Sequence, residues 1–515
     1  MLRKTRVILA AVLFVGITLL FLDFTGTLHA WLGWMAKVQF LPAFLALNFG
    51  VVAGLLVLTL LFGRVYCSVI CPMGVMQDII SWIHRKLNRK ARFRFSYSPA
   101  KKWLRVALLV LFVIGLALGA HTIVLLIAPY SAYGRIAANL FAPLYQLANN
   151  ALAYFAERAD SYAFYKVDVW IRATSTFVVA AVTLLIVGIL AWKHGRTWCN
   201  TICPVGTFLG FFSRFSLFAP VIDTEKCRNC GLCSKQCKAS CIDMKEHKID
   251  YSRCVVCMDC IDTCRDGAIS YRRRSFACAQ DDERVAQRAT REAQNEAKGN
   301  QEDGKVDQGR RAFLISGAVA GSAIAAHAQD MKVDGGLASI RRAEKPERQT
   351  PIVPAGSLSL KHFTDHCVAC QLCVAACPNH VLRPSTDLET LMQPEMSYER
   401  GYCRPECNTC SQVCPAGAIK PISIEEKSSI QIGHAVVNLD VCVVNTDNVS
   451  CGNCARHCPV GAIRMVRKDP DDSKSLRIPT VNEERCIGCG ACENLCPARP
   501  LTAIHVEGHE VHKMI

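Results

Sequence analysis

Twenty-four cysteines fall into six groups of four, each spaced as a ligand set for an iron–sulfur cluster. The first two groups, Cys227, Cys230, Cys233, Cys237 and Cys254, Cys257, Cys260, Cys264, both read C-x2-C-x2-C-x3-C. Three thiolates at that spacing wrap one face of a cluster, and the fourth reaches across to its neighbour. Cys227, Cys230, Cys233 and Cys264 are therefore expected to hold one 4Fe-4S cluster, and Cys254, Cys257, Cys260 and Cys237 the other. Lys238 and Arg265 stand where proline usually follows the fourth cysteine.

Four more quartets come later: Cys367, Cys370, Cys373, Cys377; Cys403, Cys407, Cys410, Cys414; Cys442, Cys451, Cys454, Cys458; and Cys486, Cys489, Cys492, Cys496. Each ends in Cys-Pro, and CPAGAI at Cys414 and CPVGAI at Cys458 echo CRDGAI at Cys264, as repeats of one half-unit do. The second and third have lengthened first gaps, which insert loop without removing a ligand. Six 4Fe-4S clusters are expected in all. Spacing leaves two pairings of the last four quartets open, adjacent or nested. Zinc favours two separated pairs of ligands, and disulfides would not explain a six-fold repeat, so iron is the better reading of all 24 cysteines. Cys241 and Cys278 belong to no quartet.

A different signal occurs twice nearer the amino terminus, as GRVYCSVICPMG from Gly63 and GRTWCNTICPVG from Gly195. Cys67 and Cys71, with Cys199 and Cys203, form matching C-x3-C-P elements whose convergence would bring four thiols together. They are either a redox or metal site beside a quinone pocket, or structural turns with buried thiols.

These groups need a scaffold. Of 515 residues 51% are hydrophobic, and four apolar stretches stand out at 7–22, 42–62, 106–128 and 173–192. The last three, with 21, 23 and 20 residues, match the ~20 that a helix needs to cross ~30 Å of hydrocarbon. Arg3, Lys4 and Arg6 precede the first, and 63–105 carries ten Lys/Arg against Asp78 alone, so both segments are expected on the cytoplasmic side. The loops 23–41 and 129–172 lack that excess and are expected outside. The net charge of +16 is read as this topology and not as nucleic-acid binding, because the basic residues lie beside apolar spans.

The expected fold is multi-domain: an α-helical membrane bundle of four spans followed by α+β ferredoxin-like 4Fe-4S domains. The expected boundaries are 1–215 for the membrane domain, 216–275 for a two-cluster ferredoxin, 276–309 for a charged linker, 310–330 for an export-like signal or anchor, and 331–515 for a four-cluster polyferredoxin. The linker is too poor in large apolar residues to fold alone. In the signal, Arg310 and Arg311 precede Phe313 and Leu314, the arrangement of a twin-arginine export signal with Ile315 where lysine is usual, and Ala326-His327-Ala328 could be a cleavage site. No C-x-x-C-H occurs, and His121 and His194 alone lie within or beside the spans, which argues against haem. No molybdopterin, flavin or nucleotide motif is present.

Residues 1–275, with the spans, the doubled GRxxCxxxCPxG motif and the two-cluster ferredoxin, resemble the NapH-like membrane quinol dehydrogenases. From Arg310 onward the chain resembles the NapG/MauM-like twin-arginine-exported ferredoxins, so it looks like a fusion of the two. The NosR-like group shares the C-x3-C-P loops. The resemblance implies quinol from the membrane quinone pool as donor, reacting near Cys67, Cys71, Cys199 and Cys203. It implies a periplasmic reductase or cytochrome subunit, such as nitrate reductase, as acceptor. The protein is then a quinol dehydrogenase or the electron-transfer component of an oxidoreductase system in a prokaryotic inner membrane, its carboxy-terminal domain periplasmic. Two alternatives stand beside it: a maturation factor that reduces a metal or thiol for a respiratory enzyme, and a cytoplasmic ferredoxin-linked module. On the expected topology ~30 Å of hydrocarbon separates the two cluster groups, and a mobile quinone is expected to connect them.

Overall fold

The computed structural model describes residues 2–23, 26–88, 95–119, 121–274, 333–334, 338–339 and 343–515. Residues 1–272 and 343–515 form one compact unit, and 273–342 a second. In the second unit Val333–Asp334 pairs antiparallel with Ala338–Ser339. The charged stretch 276–309, the export-like signal 310–330 and Cys278 lie outside the described residues.

Among the described residues, uninterrupted aliphatic sequence produces two helices long and apolar enough to cross a membrane, Leu2–Leu22 and Thr174–His194. The first stops where the Asp23 carboxylate accepts the Gly26 and Leu28 N–H groups. The second stops at Gly195, whose φ of 68° a side chain would resist. The other two apolar stretches are each broken. Phe40–Leu45 and Phe49–Phe62 are separated at Leu47, which has a φ of 53°, and Asn48 caps the second piece by accepting the Val51 N–H. Lys102–Ala117 and His121–Ile127 are separated at Gly119, with a φ of 72°. Apolar side chains such as Ile8, Val12, Val15, Leu185 and Ile186 point outward from the two long helices.

The doubled motif folds the same way twice. Phe49–Phe62 leads through a π turn, Tyr66–Ile70, into Pro72–Leu87, and Thr174–His194 leads through Trp198–Ile202 into Pro204–Ser213. Proline occupies the first position of both following helices, where its missing N–H costs nothing. Between the repeats Pro129–Ile136 forms a helix buried at every position, Arg135 included.

The cysteine-rich segments fold as short helices joined by two-stranded antiparallel sheets. In the first module Phe218–Ile222 pairs with Ile269–Arg273, and Ile242 with Ile249. In the carboxy-terminal one Leu382–Pro384 pairs with Pro394–Met396, Ile463–Arg467 with Arg477–Val481, and Ile430–Val437 with Ile504–Met514. One hydrophobic core runs from Ile17, Leu20 and Phe21 through Tyr130 and Tyr133 to Leu372 and Val374. The helical region and the first half of the carboxy-terminal module thus fold on shared apolar contacts.

Candidate iron-sulfur sites

Cys237, Cys377, Cys414, Cys458 and Cys496 each lie with cysteines of the neighbouring quartet. Cys237 lines one cavity with Cys254, Cys257 and Cys260, and Cys233 faces Cys227 and Cys230. In the carboxy-terminal module Cys414 stands beside Cys367, Cys370 and Cys373. Cys377 lines a cavity with Cys403, Cys407 and Cys410. Cys458 does so with Cys486, Cys489 and Cys492, and Cys496 faces Cys454, which faces Cys451. The pairing is therefore adjacent. Backbone N–H groups aim at the sulfurs, as Leu372 does at Cys370 and Ala491 at Cys489; such bonds favour the thiolate that iron requires. Among the described residues no three Cys, His, Asp or Glu side chains converge tightly enough for a single metal ion. These thiol-lined cavities offer the ligand set of a cluster.

The sites of the carboxy-terminal module follow one another in space. Cys370 touches the helical region, where its carbonyl oxygen blocks the space that a Cβ on Gly134 would need. The Cys403 N–H donates to the Cys489 carbonyl at 2.9 Å. Tyr398, buried between those cysteines, donates to the Gly488 carbonyl at 2.6 Å. From the helices outward the order of quartets is first, second, fourth, third.

Cys67, Cys71, Cys199 and Cys203 do come together. All four are buried at 3–4% exposure, and Cys203 faces the other three. Two arginines cross between the repeats. Arg64, of the first, donates to the Cys199 carbonyl at 3.2 Å and to Asn200 Oδ1 at 2.9 Å. Arg196, of the second, donates to the Cys67 carbonyl at 2.5 Å. The closing glycine of each motif makes room: a Cβ on Gly74 would meet Arg196 Nη1 at 3.0 Å, and one on Gly206 would meet Arg64 Nη2 at 2.8 Å. Tyr66, next to Cys67, donates to Gln39 Oε1 at 3.2 Å, pinning the segment before the broken helix to this centre.

A buried ion network joins the centre to the first ferredoxin module. Asp78 pairs with Arg196 at 2.7 Å, Arg6 at 3.3 Å and Lys238 at 3.4 Å. Lys238 also pairs with Asp259 at 2.8 Å, and Arg3 pairs with Asp259 at 2.8 Å and Asp262 at 2.6 Å. Burial pushes the Asp259 carboxyl up, but Lys238 and Arg3 outweigh it and hold the group below the usual carboxylate range. Lys238, which departs from the proline of the common motif, is thus the hub between module and helices.

At the other end of the helices stand Arg135 and Arg172. Arg135 is fully buried, and its guanidinium nitrogens have no hydrogen-bond partner; the charge it faces is Cys370. Arg172 faces Cys377 and Cys373. A cluster with four thiolates carries net negative charge, which fits these cations. Trp170 lies under Arg400 and Arg383, 4.4 and 4.9 Å from ring centre to guanidinium carbon.

Sequence reasoning missed several of these residues. Arg64 and Arg196 lay inside the repeated motif, and their recurrence was the available signal. Nothing local marks Arg135 or Arg172, whereas Lys238 was marked by standing in place of the usual proline. Cys241, set aside as unligated, sits with its sulfur 3.4 Å from that of Cys237.

Residues 44–90 and 174–220 match a family described as a 4Fe-4S binding domain, and 366–443 and 449–499 match a 4Fe-4S dicluster domain. The methylamine utilization ferredoxin-type protein MauM of Methylophilus methylotrophus is 30% identical over 157 residues, 30% of this chain and 69% of that protein. The ferredoxin-type protein NapH of Escherichia coli K12 is 27% identical over 240 residues, 44% of this chain and 67% of NapH. An uncharacterized protein of Methanocaldococcus jannaschii, MJ0749, is 35% identical over 97 residues, 19% of this chain; the chain spans 39% of its length. No solved structure matches. The matched families and the grouping of the thiols agree on 4Fe-4S clusters as the cofactor.

Proposed function

The chain, an iron–sulfur electron-transfer protein, belongs to the ferredoxin-type family of MauM, and on that premise we propose that it passes electrons from membrane quinol to a periplasmic oxidoreductase such as nitrate reductase. Quinol gives two electrons and two protons, and single electrons then move between six 4Fe-4S clusters on the 24 quartet cysteines. The clusters supply the redox chemistry; the chain's residues set their spacing, burial and surrounding charge.

The observation that carries this reading is the placing of the two modules along the helix Leu2–Leu22. Near its start, Arg3 pairs with Asp259 of the first module. Near its end, Phe21 lies against Gly134, which abuts Cys370 of the second. Twenty-one residues at 1.5 Å each span ~30 Å, a hydrocarbon thickness. The basic residues around the start support a cytoplasmic first module and a periplasmic second one. In this reading the helical region crosses four times, twice by continuous helices and twice by the broken pairs, its outward apolar side chains meet lipid, and the export-like signal at 310–330 carries the second module to the other side.

Purified protein mixed anaerobically with a quinol analogue tests the donor, since its clusters should bleach; no bleaching removes quinol from the reading. A reporter fused after Ile515 tests the sidedness, and cytoplasmic activity alone would place the second module inside.

A further inference from the structure

We propose that Cys67, Cys71, Cys199 and Cys203 together bind one additional iron–sulfur cluster, which relays electrons between the two ferredoxin modules. The relay rests on the electron-transfer reading above; the cluster does not.

Four features of the centre point to such a ligand. The thiols are buried and free, two from each repeat, and face one another. Each stretch that matches a 4Fe-4S binding domain contributes one pair. The sulfurs also accept hydrogen bonds: Gln77 Nε2 donates to Cys199 Sγ at 3.1 Å, the Gly206 N–H to Cys203 Sγ at 3.3 Å, and Arg64 Nη2 to Cys67 Sγ at 3.6 Å. Such donors stabilise thiolates and set cluster potentials.

The charge balance requires an anion. Arg196 is matched by Asp78, but Arg64, fully buried, has no carboxylate partner among the described residues. Its bonds go to Asn200, the Ser252 and Cys199 carbonyls, and Cys67 Sγ. A buried guanidinium without a counter-charge is strongly unfavourable. A cluster with four thiolates supplies that charge. A single ion fits less well, because among the described residues, these thiols included, no three ligating side chains converge tightly enough to hold one.

The position gives the centre its use. Arg6 donates to the Ser68 carbonyl beside Cys67, whereas Phe21 marks the level of Cys370. Arg196, Asp78 and Lys238 lead from Cys67 to Cys257 of the first module. The centre therefore divides the interval between the modules. Each transfer oxidises one cluster and reduces the next by one electron, with no bond made or broken.

The full chain, purified anaerobically in detergent, should contain more iron and acid-labile sulfide than six 4Fe-4S clusters account for. Cys203→Ser and Cys71→Ser should each remove one cluster's iron and sulfide while the electron paramagnetic resonance signals of the ferredoxin clusters persist. Iron and sulfide unchanged in both variants would overturn the proposal, as would loss of one zinc or copper ion without sulfide. If the variants fail to assemble, the native count decides: iron at or below six clusters' content overturns it. Loss of iron in a protein that quinol fails to reduce would sustain this cluster and remove only the quinol donor.

Discussion

Asn139 Nδ2 donates to Gln371 Oε1 at 2.7 Å, and both residues are buried. One lies in the helical region and the other between two cysteines of the first carboxy-terminal quartet, so the bond fixes a cluster site against the helices. Asn139→Leu leaves the Gln371 oxygen unpaired and should cost about 1–3 kcal/mol of docking. Hydrogen exchange over Leu372–Ala376 is expected to accelerate, while exchange over the distant Ile463–Arg467 strand stays unchanged. Equal acceleration in both would show that the bond supports the whole module rather than the docking.

Arg135, buried without a hydrogen-bond partner and facing Cys370, is expected to stabilise added negative charge at the Cys367, Cys370, Cys373 and Cys414 site. Reduction adds an electron there, so Arg135→Gln should lower that cluster's potential. If the arginine contributes about 1.4 kcal/mol, the shift is about 60 mV for one electron. A redox titration followed by electron paramagnetic resonance reads it. An unmoved potential would mean that the charge is screened.

Lys238 balances both Asp78 and Asp259. Lys238→Met leaves two buried carboxylates without their shared partner, and breaking a buried pair costs about 3–5 kcal/mol. The first module should lose its clusters at lower urea than the native protein, the carboxy-terminal ones being unaffected.

His512, on the strand Ile504–Met514, is pushed down to about 4 by burial and by His509. Its folded value lies below its unfolded one, so unfolded chain binds the proton more readily. The stability it contributes is full above about pH 6.5 and is lost as pH falls toward 4. Protection of that strand, taken relative to the intrinsic exchange rate at each pH, should fall from pH 7 to pH 5, and His512→Leu should flatten the dependence.

The cysteine quartets were legible because ligand spacing is itself the chemistry, and a local helix satisfies it. The doubled GRxxCxxxCPxG motif was legible as a repeat, but the crossing of Arg64 and Arg196 was not, because each arginine serves the other copy. Apolar length suggested four continuous spans and concealed the breaks at Leu47 and Gly119, where backbone conformation and not hydropathy decides. Pairing of the last quartets was beyond spacing, since contacts such as that between Cys414 and Cys370 depend on tertiary packing.

The last quartet in sequence, Cys486 to Cys496, stands third in space, between Cys403 and the outermost site. Truncation of the carboxy terminus would therefore remove the third site and, with Cys496, a ligand of the outermost one, so that one short deletion costs both outer sites and leaves the wire ending at the second. A growing chain obeys the same geometry: until its final segment has been synthesised and folded, current cannot reach the outermost cluster from the membrane.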